Sequence, residues 1–566
     1  MVGKVVVSGI SIILVVGVAL AVVAVVHHND KKGETSGVGV SSSHTTRSKV
    51  VESICTTTDY KAACRDSLSP VAKNSSADYK DYIKAAMLTT VAQVSKSLNL
   101  TESLLVEANT SDPRLKMSLE DCKDLLSLAV GQLQASFSMI GDHDLHTLQD
   151  RSDELKSWLS SVITYAETCI DGIPEPKIQS KLKDNIRNAT ALTDNALAIV
   201  SGMSQILEAF GLKINAKPLN GGRRLLSKDG FPTWLSASDR KLLQVNNGRI
   251  VPNAVVAKDG SGQFNTIADA LAAYPKNLNG TRYVIYVKAG VYNEYITVEK
   301  KMVNVLMYGD GPKATVVTGS RSFTGGLSTF RTASFSVIGA GFICKNMGFA
   351  NTAGPEGHQA VALRVQSEMS AFYNCRMDGY QDTLYVQAGR QFYRNCVISG
   401  TIDFIFGDGT VVIQDSLLIV RRPMDNQINA VTAQGRKESH QPTGIVIQNC
   451  RIVPEQQLFP DRLTIKTYLG RPWKEFSRTV IMESTLEDFI QPAGWFPWAG
   501  NFGLDTLYFA EYANVGAGAR TDQRVKWKGY HVLDRNQALQ FTAGPFLGGD
   551  KWLSSTGVVY DLGFKR

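Results

Sequence analysis

The sequence predicts a multi-domain protein, an all-α helical bundle followed by an all-β parallel β-helix. Three observations carry that prediction. Over residues 50–210 apolar side chains recur at three- and four-residue spacing, as in Leu115 to Leu133, which is the period of an amphipathic helix. From residue 251 that period is gone, and short β-branched and aromatic runs alternate with Gly, Asn and Asp, as strands and turns do. Within this second half one phrase recurs: an apolar residue, Asn or an acid, Cys or Ser, any residue, an apolar residue. It occurs near Cys344, Cys375, Cys396, Ser416, Cys450 and Ser484, at steps of 31, 21, 20, 34 and 34 residues. Repeats of roughly twenty residues with longer insertions suit the rungs of a solenoid. A jelly roll is the alternative, but it would not repeat one phrase in register.

The chain has 566 residues, 43% hydrophobic and 20% charged, which excludes a mainly disordered protein. Eight Cys are too few for a small disulfide scaffold. The net charge of +8 comes without a Lys/Arg run, so no nucleic-acid partner is expected.

At the amino end, residues 5–26 are apolar apart from Ser8 and Ser11. At about 1.5 Å per residue such a stretch reaches across a bilayer core of about 30 Å. It reads as a signal anchor, with a cleaved signal peptide as the rival because Ala19-Leu20-Ala21 offers a small-x-small site. Either route enters the secretory pathway. The sequons at Asn74, Asn99, Asn109, Asn188 and Asn279 are then glycosylation candidates, and disulfides can persist.

The helical region holds four cysteines. Cys55–Cys64 would close a short hairpin and Cys122–Cys169 would staple two helices. Its acidic residues are scattered along solvated faces, and nothing in it reads as catalytic. Residues 211–243 form a linker with two basic pairs before Leu-Leu, Arg223-Arg224 and Arg240-Lys241. Exposed loops of this kind are where proteases cut, so a processing protease is an expected partner. Residues 244–566 carry 33 Lys and Arg against 26 Asp and Glu, a mild excess that suits a polyanionic ligand.

In a parallel coil, equivalent residues stack about 4.8 Å apart. Cys375 and Cys396, one rung apart, are then in range for a disulfide, with free stacked thiols as the alternative. The same arithmetic aligns Gln359, Gln381 and Asp403, each 22 residues after the last, with Asp382 beside them. Two carboxylates that close cannot both ionise cheaply, so one serves as nucleophile or base and the other as a neutral acid. Paired carboxylates also suit a glycosidase. The two Gln amides favour an acyl carbon, because they can donate to an oxyanion. No Gly-x-Ser-x-Gly elbow and no His-Glu-x-x-His occurs.

These residues resemble a known family. The strings Gly290-Val-Tyr-Asn-Glu294, Gln359-Ala-Val-Ala-Leu-Arg364, Tyr380-Gln-Asp-Thr-Leu-Tyr385, Gly400-Thr-Ile-Asp-Phe-Ile-Phe-Gly407 and Leu469-Gly-Arg-Pro-Trp473 are similar to those of plant pectin methylesterases. The first half resembles the pectin methylesterase inhibitor domain. The resemblance implies a four-helix bundle preceded by a helical hairpin, then a right-handed parallel β-helix. It implies hydrolysis of the methyl esters of homogalacturonan to pectate and methanol in the cell wall, by a monomer after processing. It also implies Asp403 as nucleophile, Asp382 as proton donor and later base, Gln381 on the oxyanion with Gln359 assisting, and Arg471 aiming Asp403. Thr329, Trp473, Phe406, Tyr385 and Trp498 are the implied substrate contacts. No metal or cofactor is called for. Separate inhibitor proteins are further partners, and the bundle itself would inhibit or retain the enzyme before cleavage. The competing readings are another pectin-active β-helix enzyme, a lyase or polygalacturonase, and a non-enzymatic inhibitor or wall-binding protein.

Overall fold

The computed structural model describes residues 41–203 and 251–565, apart from 75, 108–111, 144–147, 149 and 279. The apolar stretch 5–26, the basic pairs Arg223-Arg224 and Arg240-Lys241, and the sequons at Asn109 and Asn279 lie outside the described residues. Among the described residues no helix is long and apolar enough to cross a membrane. Asn74, Asn99 and Asn188 are exposed.

Among the described residues six helices form the first half. α1 (Ser41–Thr56) and α2 (Lys61–Ala72) make a hairpin, which Cys55–Cys64 closes with a Cα separation of 5.7 Å. α3 (Tyr79–Glu107), α4 (Pro113–Asp142), α5 (Ser152–Gly172) and α6 (Pro176–Ser201) form the bundle, α3 and α5 each packing on both α4 and α6. The prolines mark starts, as their fixed φ and missing N–H favour. Pro113 and Pro176 open α4 and α6, where Asp112 and Glu175 accept the first free amides. Pro70 instead lies inside α2. Cys122 of α4 is bonded to Cys169 of α5.

The second half is a solenoid of three parallel sheets of eleven, eight and seven strands, each sheet taking one strand per rung in chain order. The recurrent phrase is its corner. Asn346, Asn374, Asn395, Asp415, Asn449 and Glu483 all have φ between 50° and 56°, a left-handed turn that Asn and Asp tolerate best. Their amides also ladder from rung to rung, Asn374 Nδ2 donating to Asn346 Oδ1 at 2.7 Å. Cys344 is thus out of phase with the other cysteines. Its rung neighbour is Phe372, and the true corner there is Asn346.

The expected Cys375–Cys396 disulfide is absent: both are buried free thiols, as are Cys344 and Cys450. In-register parallel strands hold stacked Cβ atoms about 4.8 Å apart, beyond the roughly 3.8 Å a disulfide prefers. The thiols instead fill the apolar core beside Phe372 and Tyr393, whose rings stack at 4.9 Å.

The seven-stranded sheet positions the site. Its strands are β1 (Ile296–Val298), β2 (Phe335–Val337), β3 (Leu363–Val365), β4 (Leu384–Val386), β5 (Ile405–Gly407), β6 (Asn429–Gln434) and β7 (Thr467–Gly470). On its outer face Ser336, Arg364, Tyr385, Phe406 and Ala433 form one column. The bundle lies against this face. Ser157 Oγ donates to Glu368 at 2.6 Å, Thr164 Oγ1 to Asp408 at 2.7 Å, and Asp194 meets His440 Nδ1 at 2.9 Å.

Candidate active site

The site grows from the turns that enter β4 and β5. Asp382 and Asp403 both sit in the left-handed region, at φ 65° and 51°. The Asp382 amide donates to the Ile402 carbonyl at 3.1 Å, and Leu384 pairs with Ile405. The local step is therefore 21 residues. Asp382 itself stands on the rung beside Asp403, the place that a 22-residue step assigns to Gln381. One rung earlier the turn steps by 22, the Ala360 amide reaching the Gln381 carbonyl at 3.2 Å, and the strand then returns to 21 with Leu363 paired to Leu384. The 22-residue step places Gln359 opposite Gln381, and the 21-residue step makes the two carboxylates direct neighbours.

Asp382 is 7% exposed and Asp403 4%. Arg471, directly after β7, holds Asp403 with a two-armed fork. Nε donates at 2.8 and 3.2 Å to the two oxygens, and Nη2 donates at 2.7 Å. Such a pairing fixes orientation as well as charge. Burial, then the Asp403 charge, pushes the Asp382 pKa well above the carboxylate range. Burial also raises Asp403, and Arg471 works against it. The pair is therefore differentiated: Asp382 is driven toward its protonated form, while Asp403 is held by a cation.

Both carboxylates open into a cavity of about 410 Å³. Gln359, Gln381, Thr329, Tyr385, Phe406, Arg471, Trp473 and Trp498 all line it, so the structure brings every expected side chain of the site together. Tyr385 and Phe406 stack at 4.2 Å, and Trp473 tilts on Phe406 at 6.0 Å. The Arg471 guanidinium lies 4.4 Å from the Trp498 ring centre. Tyr385 and Phe406 are buried, Trp473 is half-buried and Trp498 is exposed.

The other wall of the cavity is the bundle. Ser118, Asp121 and Leu125 of α4 and Thr168, Cys169 and Asp171 of α5 line it. Thr168 Oγ1 lies 3.3 Å from the Tyr385 hydroxyl. Lys474 Nζ pairs with Glu167 at 3.0 Å and Asp171 at 2.9 Å, and Arg331 pairs with Asp121 and Glu120. Sequence reasoning passed over these residues. Lys474 directly follows the Leu469–Trp473 string and was within reach of it. The α4 and α5 acids follow no pattern, because docking between two halves leaves no periodic trace.

Among the described residues, Asp59, Asp194 and His440 form the one cluster with metal-ligand spacing. It lies where the bundle meets the solenoid, away from the paired carboxylates.

Known proteins share both halves. The family profile named Pectinesterase matches residues 253–550, and that named Plant invertase/pectin methylesterase inhibitor matches residues 49–199. The chain is 42% identical over 560 residues to "Putative pectinesterase/pectinesterase inhibitor 28" of Arabidopsis thaliana, covering 99% of this chain and 74% of that one. It is also 42% identical over 523 residues to "Pectinesterase 1" of Citrus sinensis, covering 91% and 88%. The solved structure "Pectin methylesterase from Carrot" matches with a TM-score of 0.55 at 51% identity, over 56% of this chain and 99% of its own.

Proposed function

Because the chain belongs to the pectinesterase family, with the fold of the family's inhibitors ahead of the enzyme, we propose that the paired carboxylates carry out its methyl-ester hydrolysis by an acyl-enzyme route. The observation that carries this reading is the Arg471 fork on Asp403 beside the buried carboxyl of Asp382. Asp403 Oδ attacks the C6 carbonyl carbon of a methylated galacturonate. The charge that develops on the carbonyl oxygen is met by the Gln381 amide, with Gln359 beside it. Asp382 gives its proton to the departing methoxide, and methanol leaves. The product is a mixed anhydride between Asp403 and the sugar carboxyl. Asp382, now charged, takes a proton from water, whose oxygen attacks the sugar acyl carbon. Asp403 departs as a carboxylate and the acid product loses its proton to solvent. One ester and one water become one carboxylate, one methanol and one proton.

The aromatic side chains of Tyr385, Phe406, Trp473 and Trp498 orient the sugar, with Thr329 lining the same cavity. The homogalacturonan of the cell wall is the substrate, reached through the secretory pathway, and the glycans sit at the exposed Asn74, Asn99 and Asn188. The bundle keeps the enzyme silent before a protease cuts at Arg223-Arg224 or Arg240-Lys241. What supports this is that α4 and α5 form one wall of the catalytic cavity.

The test is methanol release from highly methylated pectin by the full chain and by residues 244–566, with viscosity followed in parallel. Methanol without loss of viscosity, faster from the shorter chain, is expected. Falling viscosity would point to a lyase or polygalacturonase. Equal rates from both chains would remove the silencing role.

A further inference from the structure

A second cavity, of about 480 Å³, opens on the eleven-stranded sheet rather than on the seven-stranded sheet that carries the catalytic pair. Three parts of the chain meet there: the first turns of α5, the sheet, and two short helices near the carboxyl end, α7 (Arg535–Leu539) and α8 (Ala543–Leu547).

The sheet contributes a column of residues. Arg390 pairs with Thr410, Thr410 with Gly444, and Arg478 with Tyr508, while Gly444 and Arg478 directly precede the paired Ile445 and Thr479. Five successive rungs therefore carry these residues at one strand position, about 4.8 Å apart. Gly444 leaves room for the Arg478 side chain to lie over it, since a Cβ there would sit 3.0 Å from Arg478 Cδ. The guanidinium is laid along the column, where Nη1 donates at 3.3 Å to the carbonyls of Pro442 and Thr443.

The other charges of this cavity are matched. Arg390 is paired with Glu368 at 2.7 Å, and Lys156 with Asp153 at 3.0 Å. Asp153 is claimed a second time, by Lys551 at 2.9 Å. Among the described residues Arg478 forms no ion pair, and its Nε and Nη2 donate to no protein acceptor. Burial pushes its pKa down to about 10, with Tyr508 and Asp408 opposing. A cation so placed gains from an anion at its free edge, and the edge of a guanidinium matches the two oxygens of a carboxylate.

The rest of the lining shapes the body of such an anion. Tyr508, Phe541 and Phe546 form a run of rings with centres 5.5 and 5.8 Å apart. Gln537 and Gln540 stand at the exposed edge. Gln537 Oε1 accepts the Asp534 amide at 2.9 Å, which leaves its Nε2 to donate outward. Apolar walls with a few placed donors, around a volume of this size, suit a small molecule.

We infer that this cavity binds a small aromatic carboxylate, its carboxyl on the Arg478 guanidinium and its ring against Tyr508, Phe541 and Phe546. Lys156 and Ser157 of α5 close the cavity from the bundle's side, so the ligand touches both halves and favours the docked chain. By linkage, the bundle tightens the ligand by the same factor as the ligand tightens the bundle. The catalytic carboxylates take no part, and the inference stands apart from the esterase reading.

The experiment is calorimetric titration of the full chain with 2-naphthoate, beside the uncharged 2-naphthamide and the ringless acetate. Naphthoate should bind with a Kd of about 1 mM or tighter, from its roughly thirteen non-hydrogen atoms at the efficiency of a drug-sized ligand. The amide and acetate should each bind about tenfold more weakly or worse, and Arg478→Gln should weaken naphthoate by about tenfold or more. At the exposed edge, Gln540→Glu should weaken it and Gln540→Lys strengthen it, each about twofold to fivefold. The exposed Lys526→Gln, on neither cavity, should change nothing. Residues 244–566, which lack the α5 wall, should bind more weakly than the full chain.

Four results would overturn the inference: no heat up to about 10 mM naphthoate, equal binding of the amide, an affinity unmoved by Arg478→Gln and by both Gln540 variants, or equal affinity in residues 244–566. The two Gln540 variants keep the test decisive if Arg478→Gln misfolds.

Discussion

Replacing Arg471 with lysine isolates what the fork does. The guanidinium makes three contacts of 2.7–3.2 Å to the two oxygens of Asp403. Lysine keeps the charge and loses the second arm. A hydrogen bond to a charged group is worth about 1.5–3 kcal/mol. Losing one arm in a site of 4% exposure should therefore lower kcat about 10- to 150-fold. The pH profile should move as well. Burial raises the Asp403 pKa and Arg471 opposes it, so a weaker partner raises it further. Because the nucleophile must be ionised, activity is lost as pH falls through that value, and the acid limb should shift upward. The assay is methanol release against pH by Arg471→Lys in residues 244–566, with a thermal melt to establish folding. A folded variant with the parent's kcat and the parent's acid limb would refute the aiming role.

Further outcomes follow from the same geometry. All four solenoid cysteines are free and buried, so a thiol reagent should find none in the native protein and four after denaturation without reductant. Finding two would restore the Cys375–Cys396 bond. Removing Cys122–Cys169, which ties α4 to α5, should destabilise the bundle by roughly 2–5 kcal/mol. Calorimetry should show the bundle melting earlier while the solenoid holds. Docking should weaken with rising pH. Burial, then Asp194, lifts Glu438 from 4.5 to about 7 in the docked form, and the Asp194 hydrogen bond raises His440. Both groups hold their proton better when docked. The stabilisation is full below about 4.5 and fades as pH rises through about 7. Titrating residues 50–210 into residues 244–566 at pH 5 and pH 8 should show tighter binding at pH 5, and the reverse order would refute the protonated interface.

The fold was legible where chemistry repeats. The corner phrase was readable because a left-handed turn in every rung selects Asn or Asp, and the 3.6-residue period gave the bundle. The α1–α2 hairpin came from the family resemblance rather than from the period, and Pro70 sits within α2. At the site, residue identities were readable and their alignment was not. A uniform step of 22 put Gln381 over Asp403, whereas the step there slips to 21 and brings Asp382 over Asp403. The slip follows from backbone turns that composition does not encode. The cysteine pair misled because stacking brings two sulfurs near without the Cβ approach a bond requires. The docked face was invisible, since Asp121, Thr168 and Asp171 acquire meaning only beside Arg331, Tyr385 and Lys474.

The central claim is that Asp403 is the nucleophile of a methylesterase. The most direct measurement is methanol release from highly methylated pectin by residues 244–566 beside Asp403→Ala, both shown to be folded and with polymer length followed. The account predicts methanol from the parent at constant polymer length, and a loss of about four orders of magnitude or more in the variant. Equal release from both proteins would contradict it.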